Sequence, residues 1–440
     1  MAIIQPLDLS KLSESEIKEI IYRKSLDLDK VMSEVIVPLA TDLKINVREK
    51  LIHYTLKWDK VVPEKLVLQR EELKESFEKL KKEQPEVIAA FQMAANNITL
   101  FHQQQVPRPL ETTVAENILG LKFIPFDRVC LYVPGGKARY PSTVLMGVLP
   151  AKIAGVKDIT IASPPDPLTG STPEIVKAIT YLAGADRLLQ AGGAQAIIAM
   201  GYGIHEESIK PVDFIYGPGN VFVSAAKNYL FSGGFCGIDS FAGPSEVLII
   251  ADEHAEPRYL AHDFMAQAEH DENAAAILLT TSEQSAKDTI IEIEKALSKR
   301  KDRVAITAES IKRNGKIIVV KNLDEAIDFS NEYAPEHLEI QTGNNDYVLE
   351  KITSAGSIFV GDQAPVAIGD YYSGTNHILP TNRGARFSSG VSVHSFYKRV
   401  TYQKITRKGL ELSLDPITIM STVEGLYDEH GYSVATRFES

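Results

Sequence analysis

Cysteine is nearly absent. Cys130 and Cys236 are the only two in 440 residues. Two thiols do not make a disulfide framework in a chain this long, so a reducing compartment is expected. Long hydrophobic runs are missing too. No stretch of about 18 apolar residues occurs, which argues against a membrane-spanning helix. Met1 to Leu9 lacks the basic region and apolar run of a signal peptide, so a cytoplasmic location is expected. A basic excess is also absent. The formal net charge is −11, which argues against a broad nucleic-acid surface. A 44% hydrophobic and 24% charged composition is that of an ordinary globular protein with a sizeable core.

The standard nucleotide fingerprints are missing as well. Gly201 and Gly203 fit the first two positions of G-x-G-x-x-G, but Glu206 holds the third; Gly217 and Gly219 likewise lead to Phe222. Gly136-Lys137 is followed by Ala138 and lacks the earlier glycine of a Walker A loop. No repeat of fixed period is found.

What is present is an α/β texture. Residues 10–95 read as charged helices with apolar positions at three- and four-residue spacing. From about 128, short apolar runs alternate with helical patterns: RVCLYVPGG, STVLMGVLPAKIAGV, DITIASPP, PEIVKAITYLAGA, VDFIYGPGN, VFVSAAKNYLF. EVLIIAD, AAAILLTT and GKIIVV continue the series to about residue 321, and from about 392 the chain reads as helical. Such alternation indicates βαβ units and parallel sheets. Gly217-Pro218-Gly219-Asn220 lies between a strand and a helix, where backbone N–H groups and a helix N-terminus can meet a phosphate.

Several polar residues stand out. In LAHDFMAQAEHDENAA, Gln267 and His270 are three apart and share one helix face. Glutamine is an unusual zinc ligand, so alone the pair reads first as a surface polar pair. Asp370 lies in AIGDYYSGTNHILPT with His377 beyond it, and His430 lies in EGLYDEHGYSV. A Gln/His/Asp/His set offers the mixed N and O donors that suit Zn²⁺, Co²⁺ or Mn²⁺. His53, His102, His205 and His254 lack suggestive company. Glu336-His337 lies in NEYAPEHLEI. Pro335 pushes Ala334 towards an extended backbone, so a turn is expected there. A carboxylate beside an imidazole supplies two proton acceptors; in isolation the dipeptide reads first as a helix start with a capping Glu. Ser245 in AGPSEV is not in a G-x-S-x-G elbow, so a hydrogen-bonding role is expected.

Taken together, LYVPGGKARYPSTVLMGVLPAKIAGV, GGAQAIIAMGYG, YGPGNVFVSAAK, GIDSFAGPSEVLIIAD, AQAEHDENA, NEYAPEHLEI and GDYYSGTNHILPT resemble the histidinol dehydrogenase family. They run in family order from about residue 121 to 400. The resemblance implies a zinc- and NAD-dependent homodimer, with one Zn²⁺ per subunit, that oxidises L-histidinol through L-histidinal to L-histidine, the last steps of histidine biosynthesis. It implies an α/β fold of two incomplete Rossmann-like domains with small helical terminal segments. The expected division is a helical segment at 1–29, an α/β domain from 30–131 and 248–391 carrying most metal and catalytic residues, an NAD-binding α/β domain at 132–247, and a helical tail at 392–440 that reaches the partner's site.

Residue by residue, the resemblance implies Gln267, His270, Asp370 and His430 as zinc ligands, Glu336 and His337 as the catalytic pair, and Tyr132, Gln195 and Asn220 as NAD contacts. Ser245, Glu424, His337 and the zinc ligands then line the histidinol site. Two departures occur. Three residues, Tyr427, Asp428 and Glu429, separate EGL from His430 where the family usually has two. On a continuous helix the extra residue turns Glu424 by about 100° relative to His430. Ser240-Phe241 stands where a Met-Pro pair is common, a packing change.

Overall fold

The computed structural model describes residues 3–23, 28–135, 139–240, 243–299 and 302–439. Gly136, Lys137 and Ala138 of the Walker comparison, and Phe241, lie outside the described residues. Among the described residues, no helix is long and apolar enough to cross a membrane.

Two six-stranded sheets carry the α/β class that the texture predicts. The first runs β1 (Pro6–Asp8), β12 (Lys316–Val319), β11 (Ala275–Thr280), β10 (Glu246–Ala251), β13 (His337–Gln341), β14 (Ser357–Val360), all parallel. The second runs β2 (Val67–Gln69), β7 (Arg187–Leu189), β6 (Asp158–Ala162), β5 (Arg128–Tyr132), β8 (Phe214–Tyr216), β9 (Gly237–Ile238), parallel except for β2. Every residue of β10 and β11 is buried. A parallel strand covered on both faces has no solvent side, so it reads as a continuous apolar run. Alternate residues feed separate cores: Val247, Ile249 and Ala251 pack with Leu260 and Phe264, whereas Leu248 and Ile250 pack with Phe329 and Tyr333.

The ladders divide the chain differently from the sequence-based domain boundaries. β5 pairs with β6 on one side and β8 on the other, so it belongs with 132–247 and not with 248–391. β2 joins the edge of the same sheet. The segment 1–29 holds the helix Glu14–Tyr22 but also places β1 against β12. The tail is not purely helical: β15 (Tyr397–Lys404) pairs antiparallel with β4 (Asn117–Pro125), which pairs with β3 (Leu110–Val114). Short edge strands and ribbons bury little and leave no periodic apolar signal.

A buried ion pair fixes the turn after β8. Gly217 has φ 110°, and a Cβ there would sit 2.3 Å from the Tyr132 carbonyl, so only glycine fits. Lys227 Nζ donates to the Gly217 carbonyl and to Asp239 Oδ1 at 2.8 Å, and Gly217 N–H donates to Asp239 Oδ2 at 2.8 Å. Both partners are buried. Removing one member of such a pair leaves an uncompensated charge. Asp239→Ala is therefore expected to cost about 3–5 kcal/mol of unfolding free energy, measured as a shift in the urea midpoint. Lys227→Met combined with Asp239→Leu should recover part of that loss. Equal destabilisation by the single and double changes would count against the pair as the element holding this turn.

Candidate functional site

The second sheet reverses strand order at β5, with β6 on one side and β8 on the other. Ligands of open α/β sheets bind in the crevice at the carboxyl ends of such strands. A cavity of about 1170 Å³ lies here, lined by Tyr132, Gln195 and Asn220 together with Trp58, Asp59 and Arg139. It is large enough for an extended cofactor. The sequence-predicted cofactor residues thus share one cavity.

Each of them is already engaged. Gly193 N–H donates to Tyr132 Oη at 3.1 Å, and burial pushes the Tyr132 phenol up to about 12. Gln195 Nε2 and Gly192 N–H both donate to Asp59 Oδ2 at 3.2 Å. Gln195 Oε1 is buried with no hydrogen-bond partner among the described residues. Asn220 caps the helix Val221–Ser232: its Oδ1 accepts from Phe222 and Val223 N–H at 3.0 and 3.1 Å. The amides that the sequence offers to a phosphate are therefore partly satisfied by Asn220. Asp59 and Trp58, on the helix Val47–Asp59, carry no motif that marked them in advance.

Ser245, Glu336 and His337 stand at the amino edge of the first sheet. β10 and β13 pair in register, Val247 opposite His337, so Ser245, Glu246, Glu336 and His337 emerge together. Glu246 N–H donates to Glu336 Oε2 at 2.9 Å. His337 Nδ1–H donates to the Glu246 carbonyl at 3.0 Å. That bond assigns the proton to Nδ1 and leaves Nε2 as the basic nitrogen. Nε2 is buried, lacks a hydrogen-bond partner among the described residues, and lies 3.8 Å from Asp370 Oδ1. Burial pushes the His337 imidazole down, against the opposing charge of Asp370. Burial, reinforced by the charges of Glu246 and Asp370, holds the Glu336 carboxyl well above the usual carboxylate range.

The turn leading into this pair is tighter than the proline rule predicts. Ala334 caps the helix Leu323–Tyr333 in the left-handed region, φ 50° and ψ 66°, rather than extended. Its N–H bond to the Ser330 carbonyl at 2.8 Å closes the helix and outweighs the local preference. Glu336-His337 accordingly opens a strand, not a helix. Gly356 packs against it, and a Cβ there would sit 2.6 Å from the Glu336 carbonyl.

Gln267 lies in the last turn of the helix Pro257–Ala268; its Oε1 is buried without a partner among the described residues. The helix ends before His270, whose N–H continues the turn by donating to the Gln267 carbonyl at 3.2 Å. The two residues stay adjacent through this turn rather than through a regular helix face. His270 is close enough to disfavour charge on both His337 and His377. Asp370, from the helix Val366–Tyr371, lies 3.9 Å through Oδ1 from His377 Nδ1. His377 Nδ1–H donates to the Asp370 carbonyl at 3.0 Å, and its Nε2 accepts from Thr143 Oγ1 at 3.1 Å. The sequence marks His377 only by its place beyond Asp370. Glu246 is marked only as a carboxylate opening an apolar strand.

Glu424 and His430 do not join this group within the single chain; both are exposed. They do not share a continuous helix either. The helix Arg407–Val423 stops at Glu424, and Gly425 has φ 72°. Tyr427–Gly431 then forms a wide π turn, with Gly431 N–H donating to the Leu426 carbonyl at 3.1 Å. The 100° rotation presumes an unbroken α-helix, so it does not describe this segment. A π turn is the usual way to absorb one additional residue. His254 does have company: its ligand atom lies within 4.8 Å of those of Asp252 and Glu253. That group follows β10, at the edge opposite the catalytic candidates, and Asp252 already accepts from the N–H groups of His254 and Gly343.

Comparison with known proteins agrees with this geometry. The family model described as histidinol dehydrogenase matches residues 22–438. A histidinol dehydrogenase of Leptospira interrogans is 45% identical over 435 residues, 99% of each chain. One of Methanothermobacter thermautotrophicus is 43% identical over 426 residues, 95% of this chain and 97% of the relative. The crystal structure of histidinol dehydrogenase from Elizabethkingia anophelis is 37% identical, with a TM-score of 0.91 over 100% of this chain and 99% of that one. With a two-sheet fold, a switch-point cavity and a buried Glu–His pair on the same chain, this protein belongs to the histidinol dehydrogenase family.

Proposed function

We propose that the chain oxidises L-histidinol through L-histidinal to L-histidine in the cytoplasm, using two NAD⁺ and one Zn²⁺ per site. The observation that carries this reading is the approach of Glu336 and Asp370 to His337, within 3.6 and 3.8 Å, in a chain from this family. NAD is assigned to the switch-point cavity, against Tyr132, Gln195 and Asn220.

The donor set fits a divalent cation. Gln267 Oε1 is a buried acceptor with no partner among the described residues, which is costly unless something fills the site. Gln267, His270 and Asp370 would hold the metal, with His430 supplied by a second subunit. Bound there, zinc supplies a fixed charge that orients the substrate's nitrogens. His337 Nε2 takes the proton from the substrate hydroxyl in the first oxidation. The aldehyde must be hydrated before the second, and Glu336 accepts the proton of the attacking water. Ser245, at the same edge, contributes hydrogen bonding to the substrate. Burial of the pair keeps bulk water from the reactive aldehyde.

The tail supports a shared site. Ile419 is 64% and Val423 84% exposed, with Leu412 and Met420 of the same helix also open. Such a surface on one helix marks an interaction face. A symmetric dimer would cover it and carry two equivalent composite sites, each with Glu424 and His430 from the partner.

Three measurements test these assignments. Chelation should abolish turnover and Zn²⁺ restore it, while His270→Asn should sharply lower bound metal; full activity in metal-free protein would refute the metal's role. Glu336→Gln should impair oxidation of supplied histidinal more than oxidation of the alcohol. His337→Asn should impair both, by about 10²–10⁴-fold; equal losses of both half-reactions in Glu336→Gln would contradict the division of labour. Finally, inactive His430→Ala mixed with inactive His337→Asn should regain activity once subunits exchange, because one site of the heterodimer escapes both defects. Demonstrated exchange without recovery would place each site within a single chain.

A further inference from the structure

Glu246 hydrogen-bonds both members of the candidate catalytic pair through its backbone groups. Its N–H holds the Glu336 carboxylate and its carbonyl holds the His337 imidazole. The aim of both side chains therefore depends on where the first residue of β10 sits. Its own side chain is 0% exposed. One carboxylate oxygen, Oε1, accepts from the Asn382 N–H at 2.6 Å and from the Arg23 guanidinium.

Arg23 comes from the far end of the sequence, just after the helix Glu14–Tyr22. Its guanidinium lies 5.1 Å over the Tyr333 ring, three residues before Glu336. Its neighbour Tyr22 donates to Glu332 Oε1 at 3.0 Å, and Arg383 stacks 3.9 Å over the Tyr22 ring. The Tyr22-Arg23 pair is thus wedged between the turn that delivers Glu336-His337 and the turn at Asn382-Arg383. With Glu246 buried and Arg23 largely so, such an ion pair is a poor device for stability alone, because desolvation offsets most of the attraction. Its use here is geometric.

We propose that Arg23 is a positioning residue: through the Glu246 carboxylate it fixes the strand end from which Glu336 and His337 are aimed. This rests on the reading of Glu336 and His337 as the catalytic pair. The N-terminal segment then belongs to the framework of the site. Arg23 reaches none of Gln267, His270 and Asp370 in the contacts described, so metal binding should not depend on it.

The test uses the full-length, zinc-loaded enzyme. Arg23→Ala should lower kcat about 10–100-fold, the scale of a sub-ångström to 1 Å misplacement. KM for histidinol and bound zinc should stay close to wild type. Added guanidinium at non-denaturing concentration should restore kcat saturably in Arg23→Ala and leave wild type and His337→Asn unchanged. A merely structural role would not give saturable rescue at constant KM. Glu246→Gln keeps the side-chain shape and the Asn382 bond but loses the charge, and should show the same kcat loss if Arg23→Ala does not fold. Full turnover in folded Arg23→Ala or in Glu246→Gln, beside an inactive His337→Asn, would overturn the proposal and leave the catalytic pair standing. Full turnover in His337→Asn would remove the pair, and the proposal with it.

Discussion

The pairing of β10 with β13 sets the geometry on which the candidate catalytic edge depends. Two parallel strands that start at the same level expose their first residues together, and Val247 opposite His337 fixes that level. A slip by one residue would turn every side chain of β13 to the opposite face. His337 would then leave the Asp370 side, and Leu338 would leave its core. The apolar content of both strands makes the slip costly, so the hydrophobic pattern that forms the sheet also fixes the polar site at its end.

The two sheets present opposite ends to function. The cavity of the second opens at strand carboxyl ends, while the Glu–His pair of the first stands at amino ends. The helix Pro141–Ala154 connects them. Arg139, just before it, lines the cavity; Thr143, in its first turn, donates to His377; and the Met146 carbonyl accepts from Asn376 at 2.7 Å. The return segment carries Ile378, Val391, Val393 and Phe396 into the core of the second sheet. The cavity and the catalytic edge are therefore coupled by packing as well as by hydrogen bonds.

Much of this fold is legible in the sequence. The central strands are buried on both faces, and residues such as those of EVLIIA announce themselves by composition. Of the polar residues singled out by motif, Glu336, His337 and Asp370 lie together in the fold, whereas Glu424 and His430 stand apart within the single chain. What escaped was of two kinds. The two-residue β9 and the exposed β3 are too short or too open to leave a pattern, and the pairing of β5 with β6 and β8 is a long-range ladder that no local signal announces. The partners Arg23, Glu246 and Asp59 act through contacts between distant segments, and no local spacing encodes those. The Ala334 turn escaped for a third reason: a helix-closing hydrogen bond overrode the preference set by the following proline.

Asn220 has a consequence for the order of events. By capping its own helix it occupies amides that would otherwise grip a pyrophosphate. A helix terminus satisfied from within offers an incoming anion less. On the proposed chemistry the first reduced cofactor has to depart and a fresh oxidised one arrive while the aldehyde stays behind. Such a relay requires loose retention of the cofactor, and a helix terminus capped from within would favour it.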